Sequence, residues 1–218
     1  MRQILIALSL LTCAAPLVGC SSTQIAIKES LGYAKREQLV DRVEDARDGQ
    51  EAAKEQFQSA LEEFLSVTGV STGELEKKYA SVKKQYDQCE DRAESVRSRI
   101  RSVERVADAL FKEWEAELKQ YESDQMRSAS QRQLDDTRVR YNALLTTMKD
   151  ASAKMDPVLA AFRDQTLFLK HNLNARAIAS LQETSGQIQS DVATLVAEME
   201  QAINEANAFI NQMQADQG

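Results

Sequence analysis

Proline, glycine and histidine are scarce in this chain, and each shortage excludes something. Two prolines and seven glycines in 218 residues are too few for a fold built on many tight reversals. The one histidine, His171, has no second histidine for a metal site and no nucleophile arrangement to serve. No G-x-S-x-G, Walker, H-E-x-x-H or paired-cysteine spacing occurs, and no glycine-rich phosphate loop. The residues therefore indicate no catalytic, cofactor-binding or metal-ligating set, and an enzyme is not expected. Positive charge is also short: the net charge of −7 disfavours nucleic acid and electrostatic wrapping on anionic membranes.

What is present begins at the N-terminus. Arg2 precedes an apolar stretch from Ile4 to about Leu11, and Leu17-Val18-Gly19-Cys20 then reads as a lipobox, the site at which a bacterial lipoprotein signal is cut and its new N-terminal cysteine lipidated. Ile4 to Val18 is shorter than the roughly 20 residues of a membrane span. The motif predicts removal of residues 1–19 and acyl chains on Cys20, each buried CH₂ contributing about 0.8 kcal/mol of anchoring. The start is similar to that of proteobacterial lipoproteins. That similarity implies the periplasmic face of the outer membrane, because Ser21 stands where aspartate commonly marks inner-membrane retention. Of the three cysteines, Cys13 leaves with the signal and Cys20 carries lipid, so Cys89 stays as a single thiol with no intrachain disulfide partner.

Beyond a short tether over residues 20–29, Ala, Glu, Gln, Lys, Arg, Leu and Asp dominate, and apolar residues recur in steps of four and three. The first seam runs Leu39, Val43, Ala46, Gln50, Ala53, Phe57, Ala60, Phe64, Val67. It stops at Val67-Thr68-Gly69-Val70. Ser71-Thr72-Gly73-Glu74 then has a capping-box pattern that predicts a new helix near Thr72, with the Ser71 hydroxyl and Glu74 carboxylate on free helix N–H groups. The second seam runs Leu75, Tyr79, Val82, Tyr86, Cys89, Ala93, Val96, Ile100, Val103, Ala107, Leu110, Trp114, with Leu118 and Tyr121 at its end, a helix of roughly 75 Å at about 1.5 Å per residue. The polar run Ser123 to Ser130 reads as the next turn.

A third seam includes Leu134, Tyr141, Leu145, Met148, Met155, Leu159, Phe162, Leu169 and Leu173. Pro157 lies inside it, but the register is the same on both sides, which predicts a kink and no reversal. The fourth seam, Ile178, Leu181, Ile188, Val192, Leu195, Met199, Ala202, Ala206, Phe209 and Met213, is offset by two residues. That offset predicts a reversal around His171-Asn172-Leu173-Asn174, where asparagine accepts non-helical angles. The expectation is an all-α fold: one elongated antiparallel four-helix bundle with heptad packing over residues 30–218. The alternative is a three-helix arrangement with a long C-terminal helix from Pro157.

Several residue sets bear on function. Asp41, Glu44, Asp45 and Asp48 have helical spacing but lie off the seam, so a solvated stripe is expected and no cation site. Arg92, Arg97, Arg99, Arg101 and Arg105 flank the second seam. There they are expected to pair with carboxylates of neighbouring helices, with Arg97, Arg99 and Arg101 as the alternative interaction patch for an anionic polymer. Cys89 is expected as an inert buried thiol, Trp114 with Leu110, Phe111 and Leu118 as core, and His171 at the surface near a turn.

KREQLVDRVEDARDGQEAAKEQFQSALEEF (Lys35 to Phe64), VADALFKEWEAELKQY (Val106 to Tyr121) and AKMDPVLAAFRDQTLFLKHNLNARAIASL (Ala153 to Leu181) resemble an uncharacterised proteobacterial lipoprotein family, domain of unknown function family 2959, over nearly the whole mature chain. The resemblance implies a helical lipoprotein and no activity, cofactor or catalytic residue. The first functional expectation is a structural or interaction lipoprotein, tied to the membrane through Cys20, that presents helical faces to an envelope protein partner. The second is a periplasmic holdase or carrier of an apolar client, for which Met148, Met155, Met199 and Met213 supply adaptable surfaces. The third is a cell-wall or polysaccharide binder through the arginine run.

Overall fold

The computed structural model describes residues 35–215. Leu17-Val18-Gly19-Cys20, the tether and the expected domain start at residue 30 lie outside the described residues. Four α-helices follow one another: α1 (Lys35–Ser66), α2 (Leu75–Leu118), α3 (Asp124–His171) and α4 (Ala175–Ala215), with short 3₁₀ turns at Val67–Gly69 and Thr72–Glu74 between the first two. α1 packs on α2 and α4, and α3 packs on the same two, so the helices sit at the corners of a square. This is the expected four-helix bundle.

Ion pairs show the antiparallel register. From Arg138 to Lys149 to Asp156, α3 advances 11 and then 7 residues, while their partners Glu115, Glu104 and Arg97 retreat along α2 by the same 11 and 7. Between α1 and α4, Arg47 reaches Asn207 and Lys54 reaches Glu200, 7 residues forward against 7 back. Eleven- and seven-residue spacings return a helix to the same face, so two partners stay in step only if both helices keep the seam period. Each exposed pair contributes only about 0.2–1 kcal/mol. Their value is in fixing alignment; stability comes from the seam they flank.

That seam is buried as its spacing predicts on α1, where every position from Leu39 to Val67 is inside. On α2 the positions from Leu75 through Leu110, and Leu118, are buried except Tyr79 and Tyr86, which are half-buried, as is Trp114; Tyr121 is exposed. On α3 two expected positions are corrected by one residue. Leu144 and Val158 are buried in place of the half-buried Leu145 and Leu159, and Thr137, Ala151, Ser152 and Thr166 complete the stripe. Leu173 falls in the turn after α3 and is exposed. α4 buries its whole expected seam from Leu181 to Met213, with Ile178 half-buried. Phe64 meets Phe162 at 5.9 Å and Phe111 meets Tyr141 edge-on at 5.4 Å.

The turns explain why the chain reverses where it does. At the end of α1 the Ser66 and Thr68 hydroxyls donate to the Glu63 and Leu65 carbonyls, at 2.6 and 2.8 Å, satisfying groups the helix end leaves free. The Ser71–Glu74 capping box does not form as expected. The Ser71 hydroxyl donates to the Glu74 carboxylate at 3.1 Å, while the Glu74 N–H goes to the Ser71 carbonyl, because a 3₁₀ turn occupies Thr72–Glu74 and the α-helix begins one turn later. α2, with 44 residues, is therefore about 66 Å long at ~1.5 Å per residue, shorter than its seam suggested.

The expected turn over Ser123–Ser130 is also corrected, since only residues 119–123 separate α2 from α3. Ser123 is the N-cap, its hydroxyl accepting from the Met126 N–H at 3.3 Å, and Arg127 locks the reversal by donating to the Tyr121 carbonyl and the Asp124 carboxylate. The polar run is the solvated first two turns of a helix.

The chain passes helically through Pro157, which overturns the three-helix alternative. Proline removes one N–H, and the carbonyl left without it belongs to Ala153; both residues are exposed, so the missing bond lies on the solvent side of the helix. The reversal lies at 172–174 as predicted. Asn172 takes φ −132°, ψ 63°, its amide donates to the Phe168 carbonyl at 3.0 Å, and the Asn174 side chain accepts from the Arg176 N–H at 2.9 Å.

Candidate functional site

The arginines of α2 are separated by the 100° turn between successive helix residues. Arg97 and Arg101 share one side, where both meet Glu94, and Arg97 also bridges to Asp156 of α3 at 2.5 Å. Arg99 points the other way and reaches the Asp45 carbonyl of α1. Arg97, Arg99 and Arg101 are thus not one surface, and the two that are neighbours are neutralised. The Arg101 hydrogen bond is the main cause holding the Glu94 carboxyl below its ordinary range.

Along the α2–α3 groove a cleft of about 400 Å³ opens beside this network, lined by Tyr86, Glu90, Glu94, Arg97, Asp156 and Leu159 among others. Desolvation, reinforced by a hydrogen bond from its hydroxyl to Glu90, pushes the Tyr86 phenol up to about 12, so the ring is neutral at ordinary pH. The cleft offers a phenol, a leucine, the linked charges of Glu94, Arg97 and Asp156, and the Arg163 guanidinium. Such a lining can hold a partner side chain but brings no activated nucleophile to a general base.

Cys89 is fully buried, its Sγ 3.7 Å from the Gln56 carbonyl, and burial pushes the thiol up to about 12. It is the inert thiol expected of a seam cysteine. His171 ends α3 and is exposed near the turn, as expected. The acidic set does not converge: Asp45 pairs with Arg42 and Asp48 with Arg47, and no group of three or more His, Cys, Asp or Glu side chains suited to a metal occurs among the described residues.

Trp114 departs from expectation. It is half-buried at the end of the bundle where α1 begins, its indole N–H donating to the Ser130 hydroxyl at 2.8 Å and the Arg36 guanidinium lying 5.1 Å from its ring centroid. Lys35 pairs with Glu113 beside it, at 2.8 Å. Sequence spacing places Trp114 on the seam but does not reveal that it is only half-buried while Leu118, one turn further, is inside. Leu110, Phe111 and Leu118 are buried as expected. No helix among the described residues is long and apolar enough to cross a membrane.

No curated protein and no solved structure matches the chain. Residues 25–213 match the model of a family described as protein of unknown function (DUF2959), a span that takes in all four helices up to the last residues of α4. The chain belongs to that family.

Proposed function

We propose that the protein is a lipid-anchored lipoprotein of the outer membrane, periplasmic face, which acts by contact as a scaffold or adaptor of the cell envelope. The reading rests on the lipobox at Leu17-Val18-Gly19-Cys20 together with one feature of the bundle. The N-terminus of α1 and the C-terminus of α4 lie at the same end, because α1 and α4 run antiparallel in register. A chain held near that end extends its opposite pole, with the turns at 67–74 and 172–174, by about 60 Å. Acyl chains supply the attachment, and the outward helix faces supply the contact surface.

Crosslinking in intact cells from exposed α2 positions such as Lys84, Glu90 and Asp108, read by mass spectrometry, tests this. A recurrent envelope protein, lost when Cys20→Ala releases the chain from the membrane fraction, is the expected result. Crosslinks to no protein from any face, or full function of Cys20→Ala, would sink the proposal. A carrier would need its methionines accessible, yet Met148, Met155, Met199 and Met213 are all at most 1 % exposed, so that reading requires the bundle to open.

A further inference from the structure

We propose that the α1–α2 groove holds a binding pocket for a phosphomonoester group, formed by Arg42, Asp45, Ser98, Arg99, Ser102 and Arg105. These residues line a cavity of about 220 Å³. Arg42 is spent on the Asp45 carboxylate at 2.8 Å. Arg99 donates only to neutral acceptors, the Asp45 carbonyl and the Ser95 hydroxyl, so its charge is not cancelled. Arg105 is exposed and has no hydrogen-bond or ion-pair partner among the described residues. Two uncompensated guanidinium groups therefore face one small cavity, in a chain whose net charge is −7.

The hydroxyls point to the same ligand. Ser98 and Ser102 line the same cavity, and neither hydroxyl has a partner among the described residues, which leaves two donors at the pocket wall. Position 49 reinforces the assignment. A glycine inside a helix costs about 0.5–1 kcal/mol against alanine. At Gly49 a Cβ would lie 2.6 Å from the Arg99 Cδ, so the missing side chain is what lets Arg99 cross α1.

Two positive charges and two free hydroxyls match a tetrahedral dianion better than a carboxylate or a phosphodiester, and guanidinium groups bind phosphate oxygens in bidentate fashion. The volume is below the ~300–1,000 Å³ of pockets that enclose whole drug-sized ligands. The pocket accepts a terminal phosphoryl group and leaves the rest of its bearer outside. Acidity elsewhere on the chain opposes long-range attraction, but at about 8 Å of screening length in physiological salt the local charges decide.

The test uses the full-length chain in an uncharged maltoside detergent, titrated with inorganic phosphate at constant ionic strength and followed by the side-chain N–H resonances of Arg99 and Arg105. Saturable shifts of both are expected. Arg105→Gln should weaken binding about tenfold, the change expected of one lost charge-assisted hydrogen bond. Gly49→Ala, which moves Arg99, should weaken it as well. Arg132→Gln, an exposed position on α3 away from the α1–α2 groove, should leave it within about twofold. Arg105 has no partner to lose, so its variant should keep the helical circular dichroism and thermal midpoint. Shifts that grow without saturating, or equal weakening by Arg132→Gln and Arg105→Gln, would overturn the pocket in favour of diffuse attraction. Mixed micelles containing phosphatidic acid separate the two sources. Saturation by the lipid, reversed by inorganic phosphate, identifies a headgroup; saturation by inorganic phosphate alone identifies a soluble phosphomonoester. Nothing in this test depends on Cys20, so its failure would leave the anchoring proposal standing.

Discussion

At the scale of single residues, burial governs what side chains can do. The Cys89 thiol and Tyr86 phenol are both held protonated by their surroundings, with values raised from 9.0 and 10.0 to about 12. An acid raised in this way lends stability that is complete below its unfolded value and is lost as pH climbs through the folded one. The urea midpoint should therefore fall between about pH 9 and 12, and less steeply in Cys89→Ala. At pH 8 the folded chain should react with a thiol reagent at least about a hundredfold more slowly than the urea-unfolded chain, since only a thiolate attacks; a fast reaction of the native protein would mean that the seam is open at this point. Glycines give a second residue-scale test. Gly186 lies within α4, and a methyl group added to its Cα would meet nothing within 4 Å, so Gly186→Ala should raise stability by about 0.5–1 kcal/mol. Gly49→Ala has the same propensity gain but must displace Arg99, and should show a smaller gain or a loss in the same urea titration.

At the scale of helices, α3 carries the least favourable local chemistry. Its Pro157 sits on an exposed face of a 48-residue helix, so Pro157→Ala restores a backbone hydrogen bond without touching the core. A gain of about 1–3 kcal/mol in denaturant titration is expected; a loss would show that proline at this position helps α3 to follow its neighbours. The same helix shows what patterning leaves undecided. Leu144-Leu145 and Val158-Leu159 each present two apolar neighbours, and a heptad count with polar Thr137, Ser152 and Thr166 on the stripe does not say which of each pair turns inward. α1 and α4 carry doublets too, Leu39-Val40, Phe64-Leu65, Leu195-Val196 and Phe209-Ile210, but there the heptad count names a buried member each time. The end of α2 is harder to read because Trp114, Leu118 and Tyr121 all keep the spacing of the seam, yet only Leu118 is buried. The arginine pocket is not legible at all. It joins Arg42 to residues more than fifty positions later, and counting along α2 alone groups Arg99 with Arg97 and Arg101, from which the helix rotates it away.

At the scale of the whole molecule, one buried polar residue sets alignment across the bundle. Gln50 of α1 is fully buried, donates to the Met148 carbonyl of the diagonally placed α3 at 3.4 Å, and leaves its own Oε1 without a partner. Polar groups of this kind cost stability and favour one register over its neighbours. Gln50→Leu should raise the urea midpoint by the equivalent of about 1 kcal/mol or more while broadening amide resonances of α1 and α3; unchanged, sharp spectra would assign the register to the ion-pair rows alone. The position of the α1 N-terminus and the α4 C-terminus at one pole bears on how the bundle carries load. A pull between those two helix ends would peel α1 from α4 one seam contact at a time, and so would need little force. Tension between an anchor at that pole and something gripping the far turns would strain all four helices lengthwise and load every seam layer together. The same fold is therefore weak when loaded between those two helix ends and stronger when loaded lengthwise from pole to pole.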